Sequence, residues 1–169
     1  MPDSYLRYNL AFISPQNWKW KLNMIDILLV EDNPADVELI RECLENSRFV
    51  ASIHVRENGG EALSFLTGER TAAVAEIQPG LIMLDLNLPG LNGRQVLEEL
   101  KSDVLLKRIP VIVLSSSDAE QDVADSYELG ASSYIVKPAD FSGYATLARA
   151  LEDFWGNVAR LPVTGHEPV

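Results

Sequence analysis

The sequence predicts an α/β domain built on one doubly wound parallel sheet. Two observations carry this. Short aliphatic runs recur along the chain, and the first, Ile25 to Val30, is β-branched and aliphatic in the manner of a strand covered on both faces. Between them lie stretches with apolar residues at helical spacing, giving five strand–helix units in succession from Met24.

Taken in order, Ile25 to Val30 is the first strand, and Ala35 to Ser47 the first helix. That helix carries Val37, Ile40 and Leu44 on one stripe, widened by Leu39 and Cys43. Ser52 to Val55 is the second strand and Gly60 to Leu66 a short second helix. Leu81 to Leu84 and Gly93 to Lys101 form the third unit. Pro110 opens the fourth strand, Val111 to Leu114, followed by an acidic helix from Ala119 to Leu129 that Gly130 stops. Ser133 to Val136 is the fifth strand, and Ser142 to Trp155 the fifth helix, with Leu147, Leu151 and Phe154 facing inward. Right-handed crossovers leave few topologies, and the flavodoxin-like strand order 2-1-3-4-5 is the common solution for five units. No internal repeat or low-complexity tract interrupts the pattern.

Residues 1–23 read as an N-terminal extension, 24–156 as the folded domain and 157–169 as a C-terminal tail. Met24 offers an alternative start, and Trp18 and Trp20 give the extension a possible docking role. The tail leaves no room for a second folded module, so output is expected to lie on another molecule.

Composition narrows the function. Acids outnumber bases 25 to 14, for a formal net charge of −11. Such a chain is repelled by nucleic-acid phosphates, which argues against direct DNA or RNA binding. Apolar residues make up 47% of the chain, enough for a sizeable core. The single Cys43 allows no internal disulfide, and neither a secretory leader nor an apolar run near the roughly 20 residues of a membrane span is evident. The expected compartment is the cytoplasm, without membrane contact.

In a doubly wound sheet, ligands sit beyond the carboxyl ends of the strands. There the sequence places Glu31 and Asp32 after the first strand, Asp85 after the third, Ser115 and Ser116 after the fourth, and Lys137 and Pro138 after the fifth. Each alone has an ordinary reading: a lone acid is usually a loop residue or cap, Lys137 a surface charge, Ser115 a helix cap. Their conjunction on one edge reverses that reading. Clustered carboxylates repel one another, and Mg²⁺, which prefers oxygen ligands, relieves the repulsion. A carboxylate nucleophile can then take a phosphoryl group, whose charge needs the metal, an ammonium and a hydroxyl as partners.

The chain resembles the receiver domain of bacterial two-component response regulators. The resemblance rests on Ile27-Leu28-Leu29-Val30-Glu31-Asp32-Asn33, on Leu84-Asp85-Leu86-Asn87-Leu88-Pro89-Gly90 with Asn92-Gly93, on Val113-Leu114-Ser115-Ser116, and on Tyr134-Ile135-Val136-Lys137-Pro138. It covers Met24 to Trp155 and implies a role for each residue. Asp85 is the phospho-acceptor. Asp32 binds Mg²⁺ directly together with Asp85 and the Asn87 backbone carbonyl, while Glu31 acts through water. Ser115 and Lys137 contact the phosphoryl oxygens, and Tyr134 with Ser115 forms the conformational switch. The Lys137–Pro138 bond is cis in similar proteins. Two positions vary among receivers: Glu31 stands where Asp is also common, and Ser115 where Thr is common.

A narrower resemblance adds a partner. The single-domain build, Asn33-Pro34-Ala35-Asp36, the stretch Ser126 to Gly130, and Phe154-Trp155 are similar to regulators that serve phytochrome-type sensor histidine kinases. That implies a homodimer through the face of helix four, strand five and helix five, with Tyr127, Phe141, Tyr144, Phe154 and Trp155 as apolar anchors. The protein would accept phosphate without being an enzyme in the usual sense. Competing readings are a phosphorylation-independent adaptor and a haloacid-dehalogenase-like phosphatase. The second needs Asp where Asn87 stands, and a nucleophile on the first strand. No Walker loop or dinucleotide fingerprint follows the first strand.

Overall fold

A computed structural model describes residues 25–48, 51–68 and 78–162. The extension with Trp18 and Trp20, Met24, and the tail beyond 162 lie outside the described residues. Five strands, β1 (Ile25–Val30), β2 (Ala51–Arg56), β3 (Leu81–Asp85), β4 (Val111–Ser115) and β5 (Ser133–Val136), pair in parallel in the order β2-β1-β3-β4-β5. The helices are α1 (Pro34–Glu45), α2 (Gly59–Thr67), α3 (Gly93–Ser102), α4 (Glu120–Glu128) and α5 (Phe141–Leu151).

The continuous apolar runs have the predicted consequence. Alternate residues of each central strand feed two separate cores, because successive side chains leave opposite faces of a sheet. Leu28, Val30, Ile82, Leu84, Val111 and Val113 pack with Val96, Leu97 and Leu100 of α3 and Ala62 of α2. Ile27, Leu29, Leu81, Met83, Ile112 and Leu114 pack with Val37 and Ile40 of α1 and Leu147 and Leu151 of α5.

Local chemistry sets the helix ends. Asn33 caps α1 by accepting from Ala35 N–H, with Pro34 in the first turn, where its missing donor costs nothing. Asn92 and Gln95 form a capping box on α3. Gly130 follows α4 with φ +92°, the left-handed position that stops a helix.

Three expectations need correction. Lys137–Pro138 is trans, and no cis peptide occurs among the described residues; trans is the form an X–Pro amide itself favours, by about 0.5–1 kcal/mol. Phe154 points outward, 52% exposed, because α5 runs into a π-helical turn, Glu152–Val158, whose wider winding breaks the 3.6-residue stripe. Tyr144 is no surface anchor: its side chain is buried in the core shared with α1.

Candidate functional site

The carboxyl edge of the sheet is polar because each central strand ends in a polar residue just where apolar packing stops. Asp85 and Ser115 are the last residues of β3 and β4, and both are buried. Glu31 follows β1, is 1% exposed, and is fixed by its own N–H donating to Arg56 O at 2.9 Å. Asp32 beside it is exposed. Lys137 follows β5, its N–H donating to Ser115 O at 2.8 Å.

The side chains converge. Lys137 Nζ lies 2.6 Å from Asp85 Oδ2, 2.7 Å from Glu31 Oε2 and 2.9 Å from Asp36 Oδ2. Asp85 Oδ1 accepts from Asn87 N–H at 2.9 Å, and Glu31 Oε1 from Asn33 N–H at 3.1 Å. Exposed Asn87 also directs its side-chain amide to Ser116 Oγ at 3.4 Å. Ser115 Oγ accepts from Ser117 N–H at 3.2 Å. The Tyr134 ring packs against the core on the α3 side, and its hydroxyl donates to Ser117 O at 2.8 Å, tying β5 to the loop that Ser115 begins.

Electrostatics show what the cluster lacks. Burial pushes the Glu31 carboxyl above its ordinary pKa, although Lys137 and Asn33 pull the other way. Burial by itself would lower the Lys137 ammonium, yet its bonds to Asp36, Asp85 and Glu31 outweigh that and hold it above its ordinary value. One ammonium thus serves three carboxylates. Glu31 Oε2, in ion-pair contact with Lys137, still has no well-aligned hydrogen-bond donor. Ligand oxygens of Glu31, Asp32 and Asp85 lie within 4.8 Å of one another. An oxygen-only donor set in which one ammonium faces several clustered carboxylates fits a hard divalent cation.

Of the strand-end residues singled out from sequence, Glu31, Asp32, Asp85 and Lys137 come together here, while the Ser115 hydroxyl bonds to Ser117 N–H and the Ser116 hydroxyl to the Asn87 amide. Asp36 was missed as a site residue: an acid in the first turn of a helix reads as a partner for the helix dipole. Tyr144, whose hydroxyl donates to Asp36 Oδ1 at 3.2 Å, was assigned to the wrong surface. The available signal was positional, since the α1 N-terminus starts three residues after Glu31 and so faces the same edge.

A flavodoxin-like sheet that gathers these carboxylates and a lysine at its carboxyl edge defines an α/β domain with an acidic site suited to a divalent cation. Residues 27–149 match the response regulator receiver domain family, and the chain belongs to that family. Response regulator Rcp1 of Synechocystis is 40% identical over 136 residues, spanning 80% of this chain and 92% of that protein. The structure of the phosphorylated cyanobacterial phytochrome response regulator RcpA is 46% identical, with TM-score 0.75, spanning 82% of this chain and 99% of that one. The Mn(2+)-bound form of Rcp1 is 39% identical, with TM-score 0.74, over 82% and 99% of the two chains. Among the described residues no helix is long and apolar enough to cross a membrane.

Proposed function

We propose that the protein is a single-domain response regulator that accepts a phosphoryl group on Asp85 from a phytochrome-type sensor histidine kinase and signals through altered protein contacts. The observation that carries this is the Asp85 carboxylate, 4% exposed, held 2.6 Å from Lys137 Nζ inside the acidic group with Glu31 and Asp32. In the transfer, an Asp85 oxygen bonds to phosphorus as the P–N bond of the donor phosphohistidine breaks, and the imidazole leaves with a proton. Lys137 neutralises part of the phosphoryl charge, and Ser115 turns its hydroxyl toward the same oxygens. Tyr134 follows through its bond to Ser117, shifting the α4–β5–α5 face between two states.

The cation would be Mg²⁺, which Asp32, Asp85 and the Asn87 carbonyl would hold, with Glu31 acting through water; it would offset the charge of the incoming phosphoryl group. The manganese bound to similar Rcp1 and the phytochrome assignment of similar RcpA support this metal class and this partner. The folded unit is taken as 24–156, acting in the cytoplasm as a homodimer through the α4–β5–α5 face, without binding nucleic acid.

Intact-mass measurement after incubation with Mg²⁺ and a small phosphodonor tests the reading. One added phosphoryl group on the wild type and none on Asp85→Asn is expected. Equal labelling of both would overturn the assignment. An unlabelled wild type that still engages its partner favours the phosphorylation-independent adaptor.

A further inference from the structure

Of the three carboxylates around Lys137, two belong to the group that a cation and a phosphoryl would engage. Asp36 does not: it stands in the first turn of α1, outside the Glu31–Asp32–Asp85 group, with Oδ2 2.9 Å from Lys137 Nζ. Its other oxygen, Oδ1, accepts from the Tyr144 hydroxyl of α5 at 3.2 Å. Tyr144 is only 2% exposed and its ring lies in the core between α1 and α5, so that hydroxyl has little freedom to move. One carboxylate thereby links the lysine after β5 to two helices packed against the same face of the sheet.

Such a link matters because a lysine side chain is a flexible four-carbon stem whose rotamer freedom must be lost to fix the ammonium. Were Asp85 to share its oxygens with a cation and become esterified, and Glu31 to turn to a water of that cation, two of the three tethers on Nζ would weaken together. The Asp36 tether is untouched by either event. It would hold the ammonium through Asp36 Oδ2 while the remaining N–H bonds of Lys137 turn to the phosphoryl oxygens.

We propose that Asp36, braced by the Tyr144 hydroxyl, is a positioning residue that fixes Lys137 Nζ at the phosphoryl site. The proposal rests on the reading of Asp85 as acceptor. Neither residue touches the reacting atoms; both act through Lys137. Misplacing a reacting group by about 1 Å can cost about 100-fold in rate. Because Lys137 retains other partners, the loss on Asp36→Asn is expected to be about 3- to 30-fold.

The test uses the full chain and has two arms. In the first, labelling by acetyl phosphate is followed by intact mass for wild type, Asp36→Asn, Asp36→Glu, Tyr144→Phe and the Asp36→Asn/Tyr144→Phe double variant. The expected result is a lower rate at saturating donor for Asp36→Asn, an unchanged Mg²⁺ concentration for half-maximal rate, partial recovery with Glu, and a smaller loss for Tyr144→Phe. The double variant should be no slower than Asp36→Asn alone, because the hydroxyl acts only through that carboxylate. The second arm needs neither metal nor phosphodonor. Competitive amine acylation, read by peptide mass, should show Lys137 becoming more reactive relative to Lys107 in both Asp36→Asn and Tyr144→Phe. Tyr144→Phe removes one oxygen from an otherwise intact core, so it reports even if Asp36→Asn folds poorly.

Wild-type rates in the variants, additive losses, unchanged Lys137 reactivity, or a loss that appears as a higher Mg²⁺ requirement would each overturn the proposal. Failure of the acceptor reading looks different: Asp85→Asn would label like wild type, while the acylation arm still reports whether Asp36 holds Lys137.

Discussion

Tyr144 and Lys137 are both coupled to Asp36, and their protonation should mark that coupling. Burial and the Asp36 charge push the Tyr144 phenol up to about 12, from an ordinary value of 10.0. The folded state therefore favours the neutral phenol; its contribution to stability is complete below pH 10 and is lost as pH rises toward about 12. Lys137, also raised, loses its contribution in the same direction, above its ordinary value of 10.5. Metal-free protein is thus expected to lose stability in strong alkali as Tyr144 ionises toward about pH 12. A phenolate-absorbance titration checks this, and Tyr144→Phe should delete that step. The sequence made the acidic cluster legible because an apolar run ending in an acid marks both the strand and its polar edge. Asp36 and Tyr144 were not legible in the same way. Their roles come from α1 and α5 meeting across one face of the sheet, which a local pattern does not encode.

Between β3 and α3 the chain turns back so tightly that Gly93 carries the geometry. A Cβ there would lie 2.1 Å from Asp85 O and 2.6 Å from Leu86 Cα, both backbone atoms that cannot swing aside. Gly93→Ala should therefore push the α3 N-terminus away from the β3 end, costing about 1–3 kcal/mol. Denaturant unfolding reads that loss, and phosphodonor labelling should slow as Asp85 shifts. The next residue reaches the other way. Arg94 donates to Asp125 Oδ2 at 2.8 Å and to Asp122 Oδ1 at 2.5 Å, tying the start of α3 to α4. All three side chains are more than a quarter exposed, so Arg94→Ala should cost under about 1 kcal/mol globally. Its visible effect is expected in hydrogen exchange: α4 amides speed up while those of β1 and β3 do not. Unchanged α4 exchange would show that the bridge does not restrain the helix. Elements of this kind were readable from periodicity except at the end of α5. There the i→i+5 turn, closed by Ala159 N–H to Phe154 O at 2.7 Å, swings Phe154 out of a stripe that Leu147 and Leu151 had marked.

Across the whole molecule, the two-core sheet was legible because the hydrophobic runs admit few other burials, whereas the outer surface was only partly so. The five aromatics expected on one face divide: Tyr144 is buried and Trp155 packs partly on the core, while Tyr127, Phe141 and Phe154 are about half exposed, joined by Val136. The proposed homodimer therefore rests on three rings and a valine from α4, β5, α5 and the turn beyond it. Against them stands a net charge of −11 on each copy, which opposes association at every separation the salt does not screen. These two terms respond oppositely to ionic strength. Screening weakens the repulsion over a Debye length of about 8 Å at physiological salt, and apolar burial does not depend on it in that way. A dimer held by these rings should tighten as salt rises from low to physiological levels; one held by surface ion pairs should loosen. Light scattering on the protein with a phosphoryl mimic bound, across a salt series, separates the two. Phe141→Ser with Phe154→Ser should give a monomer at every salt concentration while Asp85 labelling continues at the wild-type rate. A dimer that survives that double variant, or that weakens with added salt, would move the interface away from this face.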